Sequence, residues 1–303
     1  MHSVNIDIKP IENIFPYKSN WINNNGINLH YLDEGPQEAP TVVMLHGNPT
    51  WSFYYRNIIP AVAKKYRVIV PDHIGCGLSD KPQNYPYTLD QHIINLELLV
   101  SKLELNNLTL VMHDWGGLIG MGYAIRHPEN ITRFVVLNTA AFYLPHIPLT
   151  LKIARSPIIG DVIVRGFNGF SKLALIWAVK KRERLTPQVK TGYLIPYNNW
   201  FNRIGILRFI QDIPLERGHI SRKTLLEIDN KLGIFHHYPM LILWGGEDFV
   251  FTKQHFLLEW QKRFPKAQVH IFKDAGHYIL EDAYEYITPL ILDFLEQPLS
   301  YTK

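Results

Sequence analysis

Asp114 lies where an apolar stretch of the sequence gives way to a run of small residues. Residues 108–112 read Leu-Thr-Leu-Val-Met, then His-Asp-Trp-Gly-Gly follows, and apolar residues resume at helical spacing through Ala124. This pattern predicts a strand, a sharp turn and a helix. A carboxylate held at such a turn needs no base at neutral pH, so it can attack an sp³ carbon and form an alkyl ester. Asp114 is therefore the candidate nucleophile.

His277 and Asp248 complete a candidate catalytic set. Hydrolysis of an alkyl ester needs a water activated by a histidine, and the histidine needs a carboxylate to fix its tautomer. His277 follows the last predicted strand in Asp-Ala-Gly-His-Tyr-Ile-Leu-Glu-Asp, and Asp248 follows an earlier one in Gly-Gly-Glu-Asp-Phe-Val-Phe. The competing interpretations are that Asp114 caps a helix and that Asp248 is a solvated loop acid.

Strands and helices alternate along the first and last parts of the chain. The predicted strands cover residues 27–32, 41–45, 67–71, 108–112, 133–137, 240–244 and 268–272, and predicted helices cover about 89–103, 253–263 and 283–295. This order predicts an α/β fold, in which a mostly parallel sheet is covered by helices on both faces. Ligands of such sheets bind at the carboxyl ends of the strands. Asp114, Asp248 and His277 all follow predicted strands.

The segment between these two parts has a different character. Residues 144–232 contain no strong strand pattern, are rich in aromatic residues, and carry prolines that would divide them into short helices. We predict that residues 144–232 form a helical cap, inserted into a core domain made of residues 1–143 and 233–303. We expect the pocket between cap and sheet to take a small hydrophobic substrate.

Composition and charge argue against several other classes of protein. The net charge is only +4 over 303 residues, and the nearest approach to a basic cluster, residues 180–184, is typical of a solvated helix face rather than of a nucleic-acid surface. The single cysteine, Cys76, cannot form an internal disulfide and suits a reducing compartment. With no secretory signal and no apolar run of membrane-spanning length, we expect a cytoplasmic protein without a transmembrane segment.

The remaining histidines favour no metal site. No histidine pair at metal-ligand spacing lies beside a carboxylate in the candidate catalytic set, so we expect no metal and no cofactor. His46, His73 and His113 are instead expected to bond to loop backbone around the pocket.

Taken together, the quoted motifs resemble a known family. His-Gly-Asn-Pro-Thr-Trp at residues 46–51, the His-Asp-Trp-Gly-Gly turn and Gly-His-Tyr-Ile-Leu-Glu-Asp at residues 276–282 resemble the haloalkane dehalogenase branch of the α/β-hydrolases. The resemblance covers nearly the whole chain, and the α/β-hydrolase order of nucleophile, acid and histidine fits Asp114, Asp248 and His277.

The resemblance also implies a site for the leaving group. In this family an asparagine and a tryptophan donate side-chain N–H groups to the departing anion, and the matching residues are Asn48 and Trp115. Their backbone N–H groups would form an oxyanion hole. One subgroup places its acid after the strand ending near Leu137. Here Asn138 stands there, so the acid is assigned to Asp248.

The cap narrows the resemblance. Residues 193–215, together with residues 70–82 and Leu-Asn-Thr-Ala-Ala-Phe at 137–142, are most similar to the OleB-type β-lactone decarboxylases of bacterial olefin biosynthesis. The similarity implies that a long-chain cis-β-lactone is converted to a cis-alkene and carbon dioxide. It also implies assembly with other enzymes of the olefin pathway. The residues leave open whether Asp114 attacks the ring carbon or the lactone carbonyl.

Three alternatives stay open on the sequence. A haloalkane dehalogenase would use the same catalytic residues to release halide and alcohol. An epoxide hydrolase would need cap tyrosines to protonate the epoxide oxygen, and Tyr193 and Tyr197 are the candidates. A ligand-binding receptor on the same fold would tolerate the loss of a catalytic residue, but none is lost here.

Overall fold

The computed structural model describes residues 6–145 and 147–299, which form one eight-stranded sheet with helices on both faces. The strands are β1 (Asn20–Asn24), β2 (Ile27–Glu34), β3 (Thr41–Leu45), β4 (Arg67–Pro71), β5 (Leu108–Asp114), β6 (Ile131–Thr139), β7 (Met240–Gly245) and β8 (Gln268–Phe272). Their order in the sheet is β1-β2-β4-β3-β5-β6-β7-β8. Seven of these strands contain or coincide with predicted ones, and β1 was not predicted.

Six strands, β3 to β8, run parallel, and only β2 pairs antiparallel, with β1 on one side and β4 on the other. The carboxyl ends of β3, β5, β7 and β8 therefore meet at one edge of the sheet. Alternate side chains of β5 serve the two faces, with Leu110 and Met112 in one apolar core and Val111 in the other. The mostly parallel α/β architecture predicted from the sequence is confirmed.

Eleven α-helices surround the sheet within the described residues: α1 (Ile59–Val62), α2 (Leu89–Lys102), α3 (Trp115–Arg126), α4 (Leu149–Ala154), α5 (Pro157–Gly160), α6 (Gly169–Trp177), α7 (Pro187–Leu194), α8 (Ile204–Gln211), α9 (Arg222–Lys231), α10 (Leu258–Arg263) and α11 (Ile279–Glu296). The predicted helix at 253–263 is a π-helical turn, Lys253–Leu257, followed by α10. The closing helix begins earlier than predicted, and Ala283 lies at a kink inside it.

The residues described between β6 and β7 contain six helices, α4 to α9, and no strand. Residues of α4, α6 and α8 line the cavity that contains Asp114, at the carboxyl end of β5. Helix α9 contributes Leu225 and Ile228 to the apolar core that also contains residues of α2 and α3. The division into a cap at 144–232 and a two-part core domain stays a prediction, and the packing of α9 associates the end of that segment with the core.

A buried ion pair joins three parts of the chain: the segment after β3, helix α7 and the start of helix α11. The Arg56 guanidinium donates to both carboxylate oxygens of Glu281 at 2.5 and 2.9 Å, and the Tyr193 hydroxyl of α7 donates to the same carboxylate. Arg56 and Glu281 are 6% and 2% exposed. We call the segment between β8 and α11, which carries His277, the histidine loop. Since Glu281 lies four residues after His277, this pair ties the histidine loop to the core and to α7.

Removing one partner of this pair should be costly. We expect Arg56→Met to lower the free energy of unfolding by about 3–5 kcal/mol, because it leaves the Glu281 carboxylate buried without a cation. Arg67→Met is the matched control, since Arg67 pairs with Asp33 where both side chains are 14% exposed; it should cost less, because water still reaches both charges. Urea denaturation measures both. Equal losses for the two variants would contradict a special cost for the buried pair.

Candidate active site

Asp114 is the last residue of β5 and takes a backbone conformation that non-glycine residues rarely adopt, with φ +51° and ψ −123°. The turn is tight because α3 begins at the next residue and packs closely on the sheet. A side chain at Gly116 would collide with the Leu45 carbonyl, and one at Gly117 would collide with the Thr139 side chain. The two glycines therefore let α3 start directly behind the carboxylate.

The Asp114 carboxylate points into the molecule and does not cap α3. No described backbone N–H of the helix donates to its side chain. Its Oδ1 accepts a hydrogen bond of 2.7 Å from the backbone N–H of Asn48, and its Oδ2 lies 3.6 Å from Nε2 of His277. Burial raises the pKa of Asp114, but His277 and the Asn48 N–H outweigh burial and hold it below its usual value. Asp114 is thus a buried, ionised carboxylate.

His277 is held between two carboxylates. Its Nδ1 lies 2.8 Å from Oδ2 of Asp248, on the opposite side of the ring from Asp114. Burial lowers the pKa of His277, but Asp248 and Asp114 outweigh it and raise the pKa to about 10. In the resting site the ring is therefore an imidazolium at neutral pH. It has to lose that proton before it can act as a base.

Asp248 is fixed on both of its oxygens. Oδ1 accepts backbone N–H bonds from Val250 at 2.7 Å and Phe251 at 3.0 Å, while Oδ2 accepts from His277 and, at 2.8 Å, from the Asn138 side chain. Burial raises the pKa of Asp248, but His277 and these N–H groups hold it below its usual value. Asp248 is not a solvated loop acid.

Asn138 contacts Asp248 in the site, and the sequence did not predict this contact. It lies in β6 with φ +32°, and its amide exchanges hydrogen bonds with the Gly245 backbone while also donating to Asp248. The sequence identified Asn138 only as the place where an acid is absent. Its position at a strand end was the available signal, but the contact depends on how β6 and β7 pair.

Asn48 and Trp115 line the same cavity as Asp114. The Asn48 side-chain amide donates one hydrogen bond of 3.2 Å to the Ile206 carbonyl of α8, which leaves its second N–H free for a ligand. The Trp115 indole packs on Phe209 at 5.3 Å between ring centroids, and no described residue accepts a bond from its N–H. Two side-chain donors are thus available beside the carboxylate.

The cavity has a volume of about 350 Å³ and apolar walls. Its polar base is formed by Asn48, Asp114, Trp115 and His277. Most of its wall residues come from the segment 144–232, and others come from the loops after β6 and β7. Within the described part of the chain, no cluster of histidine, cysteine or carboxylate residues could hold a metal ion. The arrangement suits an apolar molecule that carries one reactive polar centre placed beside Asp114.

The family model for the α/β-hydrolase fold matches residues 40–157 and 185–284. The chain belongs to the α/β-hydrolase fold family. A cis-3-alkyl-4-alkyloxetan-2-one decarboxylase of Shewanella oneidensis is 49% identical over 95% of this chain and 91% of its own length. Haloalkane dehalogenase 2 of Mycobacterium bovis is 30% identical over 96% of this chain and 99% of its own.

Solved structures agree on the fold. The crystal structure of the haloalkane dehalogenase DatA from Agrobacterium tumefaciens C58 matches with a TM-score of 0.82 at 24% identity, covering 92% of this chain and 96% of that one. The family model and the sequence relatives confirm the predicted family, and the solved structure confirms the fold. The named relatives of this α/β-hydrolase are enzymes.

Three further histidines of this α/β-hydrolase bond to backbone carbonyls, as predicted from the sequence. His46 bonds through Nδ1 to the Gly47 carbonyl at 2.7 Å, and Nε2 of His73 lies 2.9 Å from the His46 carbonyl. His113 bonds through Nε2 to the carbonyl of His277 at 2.9 Å, so it supports the backbone of the catalytic candidate.

The two cap tyrosines do not reach the cavity. The Tyr193 hydroxyl donates to Glu281, and the Tyr197 hydroxyl donates to the Thr50 carbonyl at 3.2 Å. Neither residue lines the cavity in the described structure. The idea that these hydroxyls protonate an epoxide oxygen is therefore wrong, because buried hydrogen bonds in the core already engage them.

The proton on His277 can be observed directly. We expect the ring of His277 to titrate near pH 10 in the native protein, and we expect Asp248→Asn to lower that pKa strongly by removing the largest charge that raises it. Histidine ring resonances in ¹⁵N NMR across pH 5 to 11 measure the change. Because the folded pKa lies above that of the unfolded chain, the stability from this proton is complete below about pH 6.5 and is lost towards pH 10.

Glu247 offers the matched control for this titration. It precedes Asp248 in the same loop, but it is exposed and accepts no described hydrogen bond from His277. Glu247→Gln should leave the titration of His277 unchanged. A native titration midpoint near the ordinary histidine pKa, or equal pKa shifts in the two variants, would contradict the placement of His277 between two charged carboxylates.

Proposed function

We propose that this α/β-hydrolase decarboxylates a long-chain cis-β-lactone to a cis-alkene and carbon dioxide. The choice of substrate rests on the 49% identity to a cis-3-alkyl-4-alkyloxetan-2-one decarboxylase, against 30% to a haloalkane dehalogenase. An oxetan-2-one is a four-membered β-lactone ring. The apolar cavity walls suit two alkyl chains, and the polar base suits the ring.

In this proposal Asp114 attacks with Oδ2, because its Oδ1 is already held by the Asn48 backbone N–H. The target is the ring carbon that carries an alkyl chain and the ring oxygen. Attack forms an ester bond from Asp114 to this carbon, breaks the bond from the carbon to the ring oxygen, and leaves the substrate with a free carboxylate. The negative charge thereby moves from Asp114 to the substrate.

The oxyanion hole argues against attack at the lactone carbonyl. Such an attack would create an oxyanion on the substrate that needs backbone N–H donors. The Asn48 N–H is engaged by Asp114 itself, at 2.7 Å, and it can remain on Oδ1 when that atom becomes the carbonyl oxygen of the enzyme ester. The Asn48 N–H therefore bonds to the nucleophile and is not free for an oxyanion on the substrate. This favours attack at an sp³ carbon.

The second step needs no water. The electrons of the bond between the substrate carboxylate and its carbon form the new double bond, carbon dioxide departs, and the ester bond to Asp114 breaks to restore the carboxylate. Ring opening inverts one carbon, and elimination from the anti arrangement then gives a cis-alkene from a cis-lactone. Asn48 and Trp115 would bind the substrate carboxylate, and Asp248 would hold the His277 imidazolium that stabilises the returning Asp114.

A haloalkane dehalogenase is the second candidate. The same two donors beside Asp114 would bind halide, and the 30% identical relative carries that name. In that reaction the enzyme ester has no carboxylate to lose, so water must open it and a neutral His277 must act as the base. Assembly with other enzymes of the olefin pathway stays a prediction.

One assay separates the two candidates. Purified protein is incubated separately with a dialkyl cis-β-lactone and a bromoalkane, and alkene and bromide are measured. We expect alkene from the lactone and loss of turnover in Asp114→Ala, with Asp274→Ala as the matched control because Asp274 is an exposed acid of the histidine loop. Bromide release without alkene would replace the proposal by the second candidate, and turnover by Asp114→Ala would exclude the nucleophile.

The leaving-group donors give a second test. Loss of one preorganised donor in a site closed to water typically raises a barrier by about 3 kcal/mol, so Asn48→Ala should slow alkene formation on the order of a hundredfold. Thr150→Ala is the control, since Thr150 lines the same cavity from α4. Similar rates for both variants would contradict the role of Asn48.

A further inference from the structure

One face of the segment between β6 and β7 exposes an unusual amount of apolar side chain. We define the cap apolar surface as Leu149, Ile158, Ile159, Val162, Phe167 and Ile176, all at least 43% exposed. Ile158 is 79% exposed, and Leu149 and Phe167 are each 70% exposed. An exposed apolar cluster of this kind marks an interaction site in a folded protein.

The elements that carry this surface pack one after another. Helix α4 contacts α5, α5 contacts the π-helical segment Asp161–Gly166, and that segment contacts α6. The exposed residues thus come from neighbouring elements rather than from scattered sites on the molecule.

The charges around this surface are mostly positive. Residues 147–181 contain six basic residues and one acid, Asp161. Arg155 and Arg165 form ion pairs with Glu216 and Asp161. Lys152 and Lys172 are exposed and form no ion pair with any described residue. Apolar side chains flanked by free lysines complement a membrane surface with anionic lipids.

The same surface continues into the cavity. Ile153, Leu173 and Trp177 line the cavity, yet they are 44%, 37% and 39% exposed. They therefore form a rim at which cavity wall and outer surface meet. A lipophilic molecule in contact with the cap apolar surface could reach the cavity without crossing bulk water.

We propose that the cap apolar surface docks on an anionic lipid membrane and that substrate enters the cavity from the lipid. Leu149, Ile158 and Phe167 would lie among the acyl chains, with Lys152 and Lys172 at the headgroups. No helix within residues 6–145 and 147–299 is long and apolar enough to cross a membrane, so the contact would be interfacial. Entry of substrate rests on the proposed function, whereas docking does not.

Vesicle flotation tests the docking. Wild-type protein should float with phosphatidylcholine vesicles that contain phosphatidylglycerol, bind pure phosphatidylcholine more weakly, and lose binding at high salt. The double variant Ile158→Asp/Phe167→Asp should bind at least about tenfold more weakly. The matched control is Leu258→Asp/Tyr286→Asp, since these residues are 57% and 64% exposed on α10 and α11; it should bind like wild type.

Two results would overturn the inference. One is equal flotation of the cap variant and its control. The other is absence of flotation together with self-association in analytical ultracentrifugation that the cap variant abolishes, which would assign the surface to a protein partner.

Turnover of a short-chain β-lactone, measured without vesicles, tests the proposed function independently of docking. Loss of that turnover in wild type counts against the proposed function, and normal turnover without flotation counts against docking alone.

Discussion

The site depends on keeping one carboxylate charged while it is buried. Asp114 lies 2.7 Å from the Asn48 N–H and 3.6 Å from Nε2 of His277, and these contacts offset the cost that burial places on its charge. Asp248 in turn keeps the imidazolium charged from the other side of the ring. Without this alternation of charges, burial would raise the pKa of Asp114 and disfavour its ionised form.

Holding three ionised groups in line requires a rigid surrounding. The histidine loop is tied to the end of α6 by a hydrogen bond of 2.9 Å from the Tyr278 N–H to the Ala178 carbonyl. Asp282 accepts N–H bonds from Gly276 and from Lys180 and Lys181, so it joins the same two segments. The loop that carries His277 and the segment that forms the cavity wall are therefore positioned together.

Much of this arrangement could be predicted from the sequence, for a physical reason. Parallel strands bring their carboxyl ends to one edge, so Asp114 and His277, which follow strand patterns, could be expected to meet. Strand β1 was missed because its Asn-Trp-Ile-Asn-Asn sequence is polar and lies at the edge of the sheet. The partner of Asn138 and the engagement of Tyr193 depend on contacts more than 80 residues apart in the chain, and local patterns do not encode these.

The central claim is that Asp114 attacks the ring carbon and that both lactone oxygens leave together. It is tested most directly with a cis-β-lactone labelled with ¹⁸O at the ring oxygen, followed by rapid mass spectrometry of the released carbon dioxide. Attack at the ring carbon predicts that the label appears in the carbon dioxide together with one alkene per lactone. Attack at the carbonyl would leave the label on the alkyl carbon as a hydroxyl. Carbon dioxide without label would therefore contradict the account.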